Sequence, residues 1–147
     1  MSQAFVASTA TAPRFPFLGH DFAELASGAA TGGAICVHEI VQRAGEEPPL
    51  HIHRREDEVF YVLEGQMTFH VGDRTLEAPG GTLVFLPRGV PHGFRVHDDE
   101  ARVLQICAPG GVDVFFAGWG DRALDVPAMS AALEEFGVEI VGPPPGH

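Results

Sequence analysis

Short apolar segments alternate with turn-forming residues between residues 34 and 107, and this pattern predicts β-strands. Gly, Pro and Asp separate the segments at a spacing typical of all-β barrels and sandwiches. Tight hairpin turns are expected at Glu64-Gly65 and Gly72-Asp73. The predicted strands are Ala34–Arg43, a short strand around His51, Val59–Leu63, Gln66–Val71, Arg74–Ala78, Thr82–Leu86, Gly93–His97 and Ala101–Cys107. We therefore expect one all-β domain over residues 34–110.

The residues before this domain have the composition of an arm. Residues 1–33 are rich in Ala, Ser, Thr and Gly, and they include a run of small residues from Ser27 to Gly33. The same segment contains the aromatic pair of Phe15-Pro16-Phe17. We expect an extended N-terminal arm whose aromatic side chains cover the core.

The residues after the domain, 111–147, predict a C-terminal extension with one short helix. Pro127 suits the first turn of a helix, and the apolar residues that follow it have a helical spacing. Gly137 ends this pattern, so the helix is expected near residues 127–136. The Pro-rich end from Gly142 to His147 is expected to fray.

Composition narrows the classes of function. The chain has 147 residues, which is about one domain, and its formal net charge of −11 disfavours binding to nucleic acid or to an anionic membrane. It has no apolar run that could span a bilayer and no pattern of a secretory signal, so a cytoplasmic protein is expected. All nine basic residues are Arg, which excludes a catalytic lysine. Cys36 and Cys107 form no CxxC pair and are expected to be buried, reduced thiols.

The positions of the histidines indicate a metal site. The chain has eight, and His51 and His53 are two residues apart in a predicted strand, so their imidazoles face the same side. Glu58 opens the next predicted strand and shares a face with Phe60 and Val62. Two imidazoles and a carboxylate can therefore approach one point.

A third imidazole is available from His92. It follows a Pro-Arg-Gly-Val-Pro turn and shares strand parity with Phe94 and Val96. Each residue alone has a simpler interpretation: an isolated His-x-His pair is more often solvated, and Glu56 and Asp57 are expected in a solvated loop. The joint arrangement of three imidazoles and one carboxylate is what predicts a metal centre.

The spacing of these residues resembles the two signature motifs of the cupin superfamily. The first motif runs Gly, five residues, His, one, His, four, Glu, six, Gly, and the second runs Gly, five residues, Pro, one, Gly, two, His. The matching residues are Gly45, His51, His53, Glu58 and Gly65, then Gly81, Pro87, Gly89 and His92. Val96 replaces the Asn that ends the second motif, which is not a metal ligand in the family pattern. Residues 109–120 are loosely similar to small single-domain, type 2 cupins that are quercetin-dioxygenase-like.

This resemblance implies an all-β, double-stranded β-helix (jelly-roll, cupin) barrel with a metal ion inside one end. The implied ligands are His51, His53, Glu58 and His92. The ion is one divalent transition metal, Fe, Ni, Mn, Cu or Zn, and the sequence does not select among them. The residues that share strand faces with the ligands are expected to form an apolar substrate pocket: Phe60, Val62, Phe94 and Val96. The resemblance also implies a homodimer, an assembly that is common in this family.

Three functions are compatible with such a site. The first, which we favour, is an oxygen-dependent dioxygenase for a small enolisable or aromatic, flavonol- or polyketide-like substrate, with Glu58 as the catalytic base. The second is a non-redox metal enzyme, such as an isomerase or a polyketide cyclase. The third is a non-catalytic cupin that binds a small molecule or a metal. The expected partners are a small-molecule substrate and, for the first function, dioxygen.

The remaining polar residues receive no role in this chemistry. Tyr61 has the opposite parity to Glu58 and is expected on the outer surface, and Arg88 and Arg95 are expected as charges at the rim. His38 and Gln105 lie on strands whose parity relative to the site is open. The other histidines are expected to be exposed or hydrogen-bonded: His20, His70, His97 and His147.

Overall fold

The computed structural model describes residues 2–146, and antiparallel β-strands are its main secondary structure; His147 lies outside the described residues. Two short helices, α1 (Asp113–Trp119) and α2 (Val126–Glu134), precede the last strand. The strands are β1 (Arg14–Phe17), β2 (His20–Ala26), β3 (Cys36–Arg43), β4 (Leu50–His53), β5 (Asp57–Glu64), β6 (Gln66–Val71), β7 (Arg74–Pro79), β8 (Thr82–Leu86), β9 (His92–Val96), β10 (Glu100–Ala108) and β11 (Val138–Gly142).

The strands form two sheets with a shared apolar core. One sheet has the order β1-β2-β3-β10-β5-β8, and the other has the order β11-β4-β9-β6-β7. Side chains from both sheets fill the core, among them the fully buried Ile40, Met67, Phe69 and Val103. The prediction of an all-β jelly-roll barrel is confirmed, because the eight strands expected between residues 34 and 107 all form with ends within two residues of those predicted.

Glycines make the corners between strands. Gly65 has a φ of 99°, and a Cβ added to it would lie 2.9 Å from the Cβ of Ala101. Gly81 has a φ of 88°, which also favours glycine. These two motif residues therefore serve the turns of the barrel.

Residues 14–26 differ from the predicted arm, because they form β1 and β2 and extend the first sheet. β2 pairs with β3 so that Phe22 lies opposite Ile40. The ring of Phe17 packs 5.6 Å from Phe22 and 5.1 Å from Phe116 of α1. The strict polar–apolar alternation that identifies a strand is missing from β2, since the adjacent residues Phe22 and Ala23 are both buried.

The C-terminal extension contains the predicted helix and two further elements. α2 covers most of residues 127–136, and the Asp125 side chain caps it by accepting a hydrogen bond from the amide of Ala128. α1 and β11 were not predicted from the sequence. β11 pairs with β4, with Val138 opposite His53. Neither helix within residues 2–146 is long and apolar enough to cross a lipid bilayer.

His38 is a buried histidine that should make stability depend on pH. It has no exposed surface, and the rings of Phe15, Phe22 and Phe116 lie within 5.9 Å of its own ring. Its Nε2 lies 3.6 Å from Oε2 of Glu24. Burial lowers its pKa from 6.5 to about 4. As pH falls through this window, the unfolded chain binds a proton that the folded protein does not, so folding becomes less favourable.

We expect His38 to remove about 2 kcal/mol of the free energy of unfolding between about pH 8 and about pH 5. Urea denaturation in the presence of a chelator measures this loss at each pH. The His38→Phe variant, which keeps an aromatic ring in the aromatic pocket, should show a shallower decline over the same range. A variant with the same pH dependence as the parent would contradict the assignment.

Candidate metal centre

The four predicted ligands converge at one end of the barrel. His51 and His53 lie on β4, Glu58 on β5 and His92 on β9. One donor atom from each lies within 4.8 Å of the donor atoms of the other three. Three of the side chains are buried, and His51 is partly buried.

Strand pairing explains how residues distant in sequence meet here. His51 and His92 are register partners across β4 and β9, and their ring centroids are 4.5 Å apart. Glu58 enters from the other sheet, and its Oε1 lies 3.1 Å from Nε2 of His92 and 3.7 Å from Nε2 of His53. The cluster therefore bridges the two sheets.

Hydrogen bonds outside the cluster orient two of the imidazoles. Nδ1 of His51 donates to the carbonyl oxygen of Pro49 at 2.7 Å. Nδ1 of His53 donates to Oε1 of Glu56 at 2.5 Å. A neutral imidazole that donates through Nδ1 keeps its lone pair on Nε2. Both rings therefore present Nε2 to the centre of the cluster.

The electrostatics of the cluster favour a bound cation. Burial and the neighbouring rings of His92 and His53 lower the pKa of His51 to about 3, so this imidazole is neutral. Burial by itself would raise the pKa of Glu58, but the surrounding imidazoles, led by His53, outweigh it and lower the pKa to about 2. At His53, burial opposes protonation, but the carboxylates of Glu58 and Glu56 outweigh it and raise the pKa. The two carboxylates therefore attract positive charge to this part of the cluster.

The donor set fits a divalent transition metal. Imidazole nitrogens suit Fe, Ni, Cu and Zn, and a carboxylate oxygen adds a harder ligand and a negative charge. In addition, Oε1 of Glu58 is buried and lies 3.1 Å from Nε2 of His92, so it faces the centre of the cluster. Three imidazoles and one carboxylate leave coordination positions for oxygen atoms of a small molecule.

Two residues that support the cluster were missed in the sequence. Gln105 on β10 donates from Nε2 to Oε2 of Glu58 at 2.6 Å. The signal for it is the alternation along β10, which buries Val103, Gln105 and Cys107 in one inward row. Glu56 was expected in a solvated loop, and that prediction was wrong. It is only 4% exposed, because the chain turns it back onto His53.

Replacing Glu56 with glutamine should weaken metal binding about 10- to 100-fold, because the carboxylate holds His53 in the ligand orientation and makes its imidazole more basic. The neighbouring Asp57→Asn change is a matched control, since that carboxylate pairs with Arg88 at the surface, 3.3 Å away. Competition titration with a chromogenic zinc chelator measures both variants. An unchanged affinity in Glu56→Gln, or an equal loss in the control, would contradict this role.

A cavity extends from the cluster into the barrel. The volume of this cavity is about 80 Å³. Phe60 and Phe94, two of the predicted pocket residues, line this cavity. Val62 and Val96 do not line the cavity but are packed in the core, with 0% and 2% of their surface exposed. Each lies two residues after a phenylalanine that lines the cavity on the same strand. The aromatic side chains of the wall are Phe17, Phe22, Phe60, Phe69, Phe94, Phe115 and Phe116.

Several residues outside the four ligands are exposed, hydrogen-bonded or buried in the interior. Tyr61 is 37% exposed on the outer face of its strand. Nε2 of His20 lies 2.7 Å from the carbonyl oxygen of Glu46, and Nε2 of His97 lies 2.8 Å from the hydroxyl of Thr68. The orientation of His38 and Gln105 was open from the sequence, and both side chains face the interior, with exposed fractions of 0% and 5%. The two cysteines are free and buried, as predicted.

Comparison with known proteins agrees with this fold and this cluster. Residues 38–108 match the family model of the cupin domain. The chain carries a cupin domain. Quercetin 2,3-dioxygenase of Bacillus subtilis is 30% identical to it over 71 residues, which are 48% of this chain and 21% of that protein. Quercetin 2,3-dioxygenase of Aspergillus japonicus is 30% identical over 80 residues, 51% of this chain and 23% of that protein. This cupin thus spans about a fifth of each of these relatives.

Solved structures share the fold of this cupin. KdgF from a Halomonas species superposes with a TM-score of 0.67 at 15% identity, covering 76% of this chain and 99% of that one. Pac13 of Streptomyces, described as a nucleoside dehydratase, has a TM-score of 0.65 at 14% identity, covering 97% of this chain and 95% of that one. At such identities the likeness establishes the fold alone.

Proposed function

We propose that this cupin is a metal-dependent dioxygenase that acts on a small enolisable or aromatic substrate of flavonol- or polyketide-like chemistry. The observation that carries the proposal is the cluster of three imidazoles and one carboxylate that borders an aromatic cavity. Its support from sequence is the 30% identity that the cupin region shares with two quercetin 2,3-dioxygenases.

The four clustered side chains would hold a divalent transition metal. When bound, such an ion lowers the pKa of a coordinated enol or hydroxyl and, if it is redox-active, lets dioxygen react with the substrate. The phenyl rings of the cavity wall provide a flat apolar surface for an aromatic ligand and exclude water from the reacting atoms.

We propose that Glu58 accepts a proton from the substrate. Gln105 donates to its Oε2, while its Oε1 lies 3.1 Å from Nε2 of His92 and 3.7 Å from Nε2 of His53. Because its pKa is lowered, the carboxylate is ionised at neutral pH. The ionised carboxylate would accept a proton from a substrate hydroxyl whose own pKa a bound ion lowers.

Oxygen dependence tests the proposal. The protein is reconstituted separately with Fe, Mn, Ni, Cu or Zn and supplied with 3-hydroxyflavone with and without air. We expect substrate loss and equimolar dioxygen uptake with at least one redox-active metal, and no turnover without oxygen. An equal rate without oxygen, or turnover with Zn alone, would instead indicate a non-redox enzyme such as an isomerase or cyclase. Tight ligand binding without product would indicate a non-catalytic cupin.

We also propose that two copies of this cupin associate through the outer face of β8. β8 is an edge strand, and its Leu83 and Phe85 are 59% and 52% exposed, with Tyr61 opposite Leu83 on β5. Light scattering should give twice the chain's 15.7 kDa, and Phe85→Glu should give the monomer mass. A monomeric parent protein at micromolar concentration would contradict this.

A further inference from the structure

Gln42 is a buried polar side chain of the cavity wall that the metal chemistry does not use. It lies on β3, is 4% exposed, and its Oε1 has no hydrogen-bond partner among the described residues. Its neighbour in the wall, His20, is satisfied, because Nε2 lies 2.7 Å from the carbonyl of Glu46 and Nδ1 accepts from the amide of Arg43. Buried polar atoms normally have partners, so the unpaired carbonyl of Gln42 indicates that a ligand supplies one.

The strand register places Gln42 well away from the metal cluster. Gln42 lies opposite Ala101 on β10, whereas His38 lies opposite Gln105. Gln105 contacts Glu58, so it marks the level of the cluster. Four residues of strand, about 13 Å, separate the two levels. A ligand that reaches from the cluster to Gln42 is therefore about the length of two or three linked aromatic rings.

The charge of the wall restricts what can bind beside Gln42. The described lining residues include no arginine, and the chain has no lysine. A carboxylate or phosphate would be buried there without a cation, which is strongly unfavourable. A hydroxyl group suits the site, because it is uncharged and can donate to the amide oxygen.

We propose that Gln42 is a specificity-determining residue that accepts a hydrogen bond from a hydroxyl at the distal end of an uncharged aromatic ligand. The proximal end of this ligand lies at the cluster of His51, His53, Glu58 and His92. This inference rests on the proposed function for the nature of that proximal end. The distal end of the ligand carries no charge, and the side-chain amide of Gln42 recognises it.

Binding to the zinc-loaded protein under nitrogen tests the inference without any oxygen chemistry. The probes are 3-hydroxyflavone, which offers a chelating oxygen pair, and its 4′-hydroxy and 7-hydroxy derivatives, which add a hydroxyl at either end. Affinities are measured by fluorescence titration for the parent, for Gln42→Leu and for Gln66→Leu. Gln66 is a matched control because its amide contacts Glu77 at the surface.

We expect at least one hydroxylated probe to bind the parent about tenfold or more tightly than 3-hydroxyflavone. Gln42→Leu should lose this preference while it binds 3-hydroxyflavone at least as well as the parent, and Gln66→Leu should keep it. Equal affinity of all three probes for the parent, an unchanged preference in Gln42→Leu, or no binding of any probe would overturn the inference. A hydroxyl preference that depends on Gln42 without dioxygen uptake by any metal form would reject the dioxygenase proposal and leave this inference standing.

Discussion

Replacing both His51 and His53 with alanine is expected to abolish stoichiometric metal binding. The parent should hold about one ion per chain after reconstitution and dialysis, and the double variant less than about a tenth of that, because only His92 and Glu58 remain as donors. Elemental analysis measures the content directly. It also identifies the metal in the protein as first purified.

The matched control for this variant is the pair His70→Ala and His97→Ala, which removes two imidazoles from outside the cluster. Circular dichroism and thermal unfolding of the metal-free proteins establish that each variant is folded. Retention of a full equivalent of metal by the folded His51→Ala, His53→Ala variant would remove the basis of the proposed activity. Equal loss in the control would show that the assay reports surface binding.

The Glu58→Gln variant is expected to lose about 10²- to 10⁴-fold in turnover, the usual contribution of a general base. Gln105 donates to Oε2 of Glu58, so the new carboxamide must keep its oxygen on that side. Its NH₂ group then faces the imidazoles, where it can neither bind a cation nor accept a proton. The change is nearly isosteric, so the fold should be unaffected.

Gln105→Leu separates the two tasks of the Glu58 carboxylate, which are binding the metal and accepting the proton. It leaves the carboxylate in place but removes the donor that fixes its orientation. Steady-state rates and metal content of both variants, measured at saturating metal, distinguish a lost base from a misplaced one. Full activity in Glu58→Gln would exclude this residue as the base.

The barrel and the four clustered residues were predictable because their signals are local. β5 and β10 alternate over most of their length, and His51 and His53 share a face through the period of two alone. Strand parity put Glu58 and His92 on the faces of Phe60 and Phe94, and the motif spacing, which includes the turns between strands, joined them to the two histidines. Such signals survive in a single sequence.

The residues that surround the cluster were not predictable in this way. Glu56 acts through a turn that reverses its direction, and Gln105 acts through strand pairing across the sheet. The partners of β1, β2 and α1 are likewise set by tertiary packing, since Phe17, Phe22 and Phe116 meet only in the folded chain. The alternation of side chains along one strand does not determine which residues of a neighbouring strand lie opposite them.

The aromatic wall has two origins in the chain. Phe60, Phe69 and Phe94 belong to the segment that matches the cupin domain, whereas the rings around Phe17 and Phe116 come from outside it. The side chains that would coordinate a cation and several of those that shape the cavity therefore come from different segments of the chain. Substitutions outside residues 38–108 can change which small molecule fits the cavity while the four ligand residues stay intact.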